Sequence, residues 1–252
     1  MSNKQDAIDI FAYAPALRSN DRRPLAIVHG MERALPELRL GWTVSDEGQR
    51  IALPDRDAWV LQERMDGGFP LLRNGDDGQR VTLTAWENPR GLAAGSPPHL
   101  EVHAVLPESV VSVASAPGVL EAIAEGSRAF WGHATPFNAG VDISQQTTHP
   151  LRKPGTPPRG LPALRFPEHI PSPEVPHRLG WLNYWSAATA RTLGFPAPVG
   201  DAELLSQARR TLTGGWVVQL TETPLDLDDP SHLEALLHAY ARFPAIGGRA
   251  VP

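Results

Sequence analysis

The chain predicts an α+β fold: a mostly antiparallel, mixed sheet with helices packed on it and a proline-rich arm in the middle. Three observations carry that expectation. Short stretches of alternating apolar residues are separated by Gly, Asn and Asp turns, as at 46–48 and 74–78, which is the pattern of hairpins. Between them lie stretches with apolar residues at i, i+3, i+4 and i+7, the stripe of a helix packed on one side. Finally, residues 150–176 hold nine prolines, and proline fixes φ and removes a donor, so no regular helix or ladder runs through them.

In chain order, Ile8 to Ala14 reads as the first strand. Pro24 to Leu35 sets Leu25, Val28, Met31 and Leu35 at helical spacing, with Asn20 or Asp21 as cap and His29 at its surface or boundary. Arg39–Val44 and Arg50–Leu53 form a hairpin over Asp46-Glu47-Gly48. Asp55 caps a short helix through Trp59 to Met65, a segment that could equally be extended. Phe69–Leu72 and Val81–Trp86 flank Asn74-Gly75-Asp76-Asp77-Gly78, whose residues tolerate positive φ. That loop lacks the regular oxygen spacing and the closing Glu of a calcium hand, so a turn is the reading.

His99 to His103 is a further strand, and Pro117 to Phe130 a second helix. Leu179 to Trp185 reads as a strand, followed by a helix from Ser186 to Leu193 that Gly194 ends. One helix through both parts is the competing assignment. Asp201 to Leu212 is a third helical stretch, with Leu204, Leu205 and Ala208 on one side. Trp216 to Thr221 alternates as a strand covered mainly on one face. Asp229-Pro230 then starts a helix, because the carboxylate accepts an orphan amide and proline at the first position loses no hydrogen bond. Leu233, Leu236, Leu237 and Tyr240 make its apolar stripe, and Pro244 and Gly247-Gly248 stop it.

The 252 residues, 41% hydrophobic and 20% charged, are enough for a hydrophobic core, and one α+β domain over 1–252 is expected. Cysteine is absent, which excludes a disulfide framework, a thiolate zinc site and a cysteine nucleophile. The start lacks the pattern of a secretory signal, and no apolar run approaches the ~20 residues of a membrane span. A cytoplasmic protein without membrane contact is the expectation.

The net charge is −5, and the window 211–241 alone holds Glu222, Asp226, Asp228, Asp229 and Glu234 with no Lys or Arg, so the remainder sums to zero. A local acidic face attracts a basic partner. Acids are also favoured at a helix N-terminus by its dipole, which accounts for the same pattern without a partner. The arm carries Arg152, Lys153, Arg159 and Arg165 before any acid, but no aromatics interleave with them for base stacking. Direct nucleic-acid binding is therefore not expected. Leu161, Leu164 and Phe166 are apolar enough to dock, which favours an arm laid over the domain rather than a free linker.

No catalytic constellation is identifiable. The flanks of Ser127 do not make a nucleophile elbow, and no phosphate loop or dinucleotide fingerprint occurs, so no cofactor is implied. His99, Glu101 and His103 project on one face of a strand and could hold a transition metal with open positions. A polar outer face of an antiparallel strand explains them equally. Trp181, Tyr184 and Trp185 make either a core layer or a binding patch, since Trp and Tyr are enriched in both.

Several strings carry a resemblance: Phe-Trp-Gly-His-Ala-Thr-Pro at 130–136, Leu-Gly-Trp-Leu-Asn-Tyr-Trp-Ser at 179–186, Gly-Gly-Trp-Val-Val-Gln-Leu-Thr at 214–221, and Pro-Leu-Asp-Leu-Asp-Asp-Pro-Ser-His-Leu at 224–233. With them the chain resembles an uncharacterised family abundant in myxobacteria. At a greater distance it resembles the immunity protein 52 family of bacterial polymorphic toxin systems, whose partners are toxin domains of restriction-endonuclease fold. The resemblance implies a cytoplasmic, non-enzymatic protein that binds and neutralises a cognate toxin in the producing strain or its kin. A nuclease site that accepts a polyanion has a basic rim. Asp226, Asp228, Asp229 and Glu234 would then mimic phosphates, and Trp181, Tyr184 and Trp185 are candidates, by residue type, for a buried anchor. Two other classes stay open: a metal-dependent enzyme using His99, Glu101 and His103, and a scaffold module binding through its Trp-rich segment.

Overall fold

The computed structural model describes residues 6–63, 67–147, 156–197 and 199–249. Among them ten strands form one sheet: β1 (Ala7–Pro15), β2 (Trp42–Val44), β3 (Arg50–Ala52), β4 (Phe69–Arg73), β5 (Thr82–Asn88), β6 (His99–Pro107), β7 (Trp131–Pro136), β8 (Leu182–Trp185), β9 (Ala208–Arg210) and β10 (Trp216–Gln219). Their order is β3-β2-β4-β5-β6-β1-β7-β8-β10-β9. Every pairing of named strands is antiparallel. The helices are α1 (Arg23–Ala34), α2 (Arg56–Gln62), α3 (Ala116–Ser127), α4 (Phe137–Ser144), α5 (Ala187–Leu193), α6 (Ala202–Ser206) and α7 (Pro230–Arg242). This is the α+β architecture with a mostly antiparallel sheet that the sequence implies.

Strand β1 shows why the sheet has two different faces. Ile8, Ile10, Ala12 and Ala14 point one way and are buried, with Leu100, Val102, Ala104 and Leu106 of β6 beside them. The helices α1 and α3 pack closely together on that apolar core, through Ile27, Val28, Met31, Val119, Leu120 and Ile123. Gly126 allows the close approach: a Cβ there would meet the Ile27 amide nitrogen at 2.8 Å. Asp9, Phe11 and Tyr13 point the other way, and each is only half-buried.

The proline-rich segment lies over part of that second face. Leu161, Leu164, Ile170 and Val175 are buried, and Leu164 makes a parallel bridge with Thr147. The Ala94 amide donates to Ile170 O at 3.0 Å, and Trp131 Nε1 donates to Pro173 O at 3.2 Å. Residues 150–155, with Arg152 and Lys153, lie outside the described residues, as does Met65 at the expected end of the short helix.

Local signals placed most element ends. Asp229 caps α7 by accepting the Ser231 amide at 2.8 Å, Ser186 caps α5 by accepting the Thr189 amide at 3.2 Å, and Gly194 closes α5 in the left-handed region. Asp55 caps α2, and the strand-then-helix assignment holds for 182–193.

Three expectations are corrected. At α1 the cap position is Arg22, while Asp21 accepts the Arg23 amide and guanidinium instead. The helix expected over 201–212 stops at Ser206, and Ala208–Arg210 become an edge strand paired with β10. The cause is the tight turn that follows, in which Thr211 N donates to Gly215 O and Gly214 takes φ +87. Strand β10 is also covered on both faces, since Val217 and Val218 are both buried.

Candidate functional site

The second face of the sheet is built of rows that run across the strands. One row reads Trp86, Glu101, Tyr13, Trp131, Trp185 and Trp216, from β5 to β10. The next reads Thr84, His103, Phe11, His133, Asn183 and Val218. A third holds Thr82, Val105, Asp9 and Thr135. Burial changes at one line in all three. On β5, β6 and β1 these side chains are half-buried; from β7 to β8, Trp131, His133, Thr135, Asn183 and Trp185 are all buried. Near that line lie Pro173, whose carbonyl accepts from Trp131 Nε1, and Arg178, whose charge acts on both His133 and Glu101.

The open half combines aromatic rings with titratable groups. Phe11 stacks on His103 with centroids 4.2 Å apart, Trp86 meets His103 edge-on at 6.4 Å, and Tyr13 stacks on Trp131 at 4.0 Å. His103 Nε2 donates to Asp9 Oδ1 at 3.1 Å; the two side chains are 25% and 22% exposed. Glu101 is 15% exposed and lies 4.0 Å from His99 Nε2. Burial pushes the Glu101 carboxyl up from its ordinary value, opposed by Asn88, Arg178 and His103. Burial likewise pushes the Tyr13 hydroxyl up, with the nearby Glu101 adding to it.

Imidazoles line the boundary. His99 Nδ1 donates to Arg90 O at 2.9 Å, which leaves Nε2 as a lone pair in the neutral ring. His133 Nδ1 meets Thr135 Oγ1 at 3.2 Å, and His177 Nε2 donates to Arg165 O at 2.8 Å. Burial, with the Arg178 charge next, holds His133 down to about 3 and His177 to about 4; burial also lowers His99. All three rings are neutral at pH 7. The Nε2 atoms of His99 and His133 and the Nε of Arg178 are buried without a hydrogen-bond partner among the described residues. Thr135 and His133, which meet at 3.2 Å, are both buried.

The residues singled out in the sequence fall in different places. His99, Glu101 and His103 do share a face, but His103 turns to Asp9 and His99 to Arg90 O. Among the described residues no group of three His, Asp or Glu is placed to hold a metal ion. Trp181, Tyr184 and Trp185 are 0%, 2% and 1% exposed, so of the two roles open to them the structure shows core. Trp185 packs edge-on against Phe195 and Phe243 at 5.1 and 5.0 Å, and Trp181 Nε1 donates to Thr221 O. As placed, these rings have no free surface with which to anchor a partner.

The acids of the C-terminal turn are at the surface, with Asp226, Asp228 and Glu234 exposed and Asp229 half-buried. Three of the four have structural contacts. Asp226 accepts the Asp228 amide at 2.9 Å, Asp229 caps α7, and Asp228 pairs with Arg159 at 2.8 Å. The hydrogen bonds from Ser231 hold the Asp229 carboxyl below the usual range. What sequence reasoning missed is Asp9, Phe11, Tyr13, Trp86 and Arg178. The alternation in β1 and β5 did mark most of them as one face, but nothing local marked that face as uncovered.

A family model described as a domain of unknown function, DUF5953, matches residues 19–251. The chain belongs to the DUF5953 family. A comparison with curated proteins finds no match. Among solved structures, this DUF5953 protein is similar to a Pseudomonas aeruginosa T6SS protein, PA0821, with a TM-score of 0.53 and 15% identity over 94% of this chain and 74% of that one. At that identity the likeness concerns the fold. Among the described residues, no helix of the DUF5953 chain is long and apolar enough to cross a membrane.

Proposed function

We propose that this protein is an immunity protein, which binds and neutralises a cognate toxin by protein–protein contact and carries out no catalysis. The observation that carries the reading is the fold shared over 94% of the chain with a protein described as belonging to a T6SS. The strings at 130–136, 179–186, 214–221 and 224–233, with their resemblance to the immunity protein 52 family, support it from the sequence side. On this reading the toxin is a basic, nuclease-like domain of restriction-endonuclease fold, and neutralisation takes place in the cytoplasm of the producing strain or its kin. The exposed acids Asp226, Asp228 and Glu234 would speed association with such a partner in a salt-sensitive way.

Co-expression with the toxin domain encoded beside this gene tests the reading. Cells carrying both are expected to grow as toxin-free cells do. Killing that continues while the protein accumulates in folded form rules the reading out.

A further inference from the structure

We propose that the toxin docks on the half-open sheet face of β5, β6 and β1, inserting one basic segment that brings an arginine or lysine to Asp9 and Glu101. The inference rests on the immunity reading and adds to it the surface and the chemistry of the contact.

Charge carries the first part. Elsewhere in this molecule several carboxylates that are at least half-buried are met by arginines: Asp21 by Arg23, Glu32 by Arg56, Asp142 by Arg159 and the fully buried Asp201 by Arg242, at 2.5–2.7 Å, while Glu125 is met by the hydroxyls of Tyr184 and Thr213. Asp9 is met by the His103 imidazole, and Glu101 by the Asn88 side chain and, at 4.0 Å, by His99, with no Lys or Arg on either carboxylate. The nearest guanidinium acting on Glu101 is that of Arg178, from beyond ion-pair distance. Two carboxylates thus stand in a partly desolvated site without a Lys or Arg in contact, where an incoming guanidinium gains most.

Surface chemistry carries the second. Trp86, Phe11 and Tyr13 lie beside these carboxylates and are half-buried; Phe11 and Tyr13 stack on His103 and Trp131, and the three rings together offer area to an apolar neighbour. Rings of this type, exposed together on the floor of a sheet, are the usual anchors of an interface. The neighbouring half of the same face is buried, with Pro173 O accepting from Trp131 Nε1 and Arg178 close enough for its charge to act on His133, Tyr13 and Glu101.

Dimensions decide the form of the occupant. Strands are spaced roughly 4.8 Å apart, so the floor from β5 to β1 is about 10 Å across between outer strand axes. That width matches one helix, about 10–12 Å in diameter, or one extended pair.

The test uses the full chain and, as probe, the purified toxin domain encoded beside the gene, inactivated at its catalytic centre. Val105 sits beside Asp9 in the face and makes no side-chain hydrogen bond, so Val105→Lys places a blocking cation there. It is expected to weaken binding by about 100-fold, as loss of a central contact does. Glu101→Gln removes charge without volume and is expected to weaken binding about tenfold, as loss of one buried charge-assisted contact does. The control, Glu47→Lys in the exposed turn at 46–48, is expected to change affinity by less than about threefold, as for a charge outside the contact.

If Val105→Lys unfolds the chain, Glu101→Gln decides alone. Wild-type affinity in both variants, or collapse of binding in the Glu47→Lys control, overturns the docking face while leaving the immunity reading intact. No binding by the unaltered chain overturns both. Sedimentation that shows a dimer of the unaltered chain, abolished by Val105→Lys, gives the face to a second copy and also overturns the proposal.

Discussion

Two halves of one sheet face carry the same kinds of residue and meet different fates. On β7, β8 and β10 the row holds Trp131, Trp185 and Trp216; on β5, β6 and β1 it holds Trp86, Glu101 and Tyr13. In the first half the arm, Phe195 and Phe243 at the end of α7 close over Trp131 and Trp185. In the second half the described residues leave the row only half-buried. An aromatic residue on a strand is therefore core or contact according to what the rest of the chain lays over it. Here the cover comes from segments about 10 to 60 residues away.

The comparison is sharpest at the tryptophans. Trp185→Ala, in the covered half, should cost about 3–5 kcal/mol, the usual range for deleting a fully buried large aromatic, read as a fall in the urea midpoint. Trp86→Ala, in the open half, should cost about 1 kcal/mol or less, since a half-exposed ring gives up little on truncation. Equal costs would erase the distinction between the halves.

Acid should open the covered half first. His133 and His177 have folded-state values of about 3 and about 4, below the ordinary 6.5. The unfolded chain therefore takes up protons first as pH falls. Stability is full above about pH 6.5, falls between there and about 4, and levels only below about 3. The total is on the order of a few kcal/mol, since a tenfold difference in proton affinity between the folded and unfolded chain is worth about 1.4 kcal/mol. Urea midpoints at pH 7 and pH 4.5 measure it, and equal midpoints would show that neither ring is held neutral.

A smaller effect tests the local signals. Ser186→Ala removes the side-chain acceptor of the Thr189 amide at the start of α5 and should cost about 1 kcal/mol in thermal unfolding. No change there would mean that packing of Ala190 and Leu193 alone fixes the helix.

These contrasts also show what was readable in advance. Asp229-Pro230, Ser186 with Gly194, and the turns at 46–48 and 74–78 act on their own neighbours, so their elements were legible residue by residue. Ala208–Arg210 were not, because a helical pattern of Leu204, Leu205 and Ala208 loses to pairing with β10 across a turn that only Gly214 permits. The candidate site was half legible. Alternation in β1 set Asp9, Phe11 and Tyr13 apart from Ile8, Ile10 and Ala12, whereas the choice between core layer and binding patch for Trp181, Tyr184 and Trp185 turned on cover from residues far along the chain. The acidic turn was correctly placed at the surface, but its Asp226 and Asp229 bind backbone amides and its Asp228 binds Arg159.

Hydroxyl-radical footprinting of the chain, free and bound to the toxin domain encoded beside its gene, sets the two regions against each other in one measurement. Oxidation of Trp86, Phe11 and His103 is expected to drop on binding, while His232 and His238 of α7 react as in the free chain. Protection of the α7 histidines with Trp86, Phe11 and His103 unchanged would contradict the account.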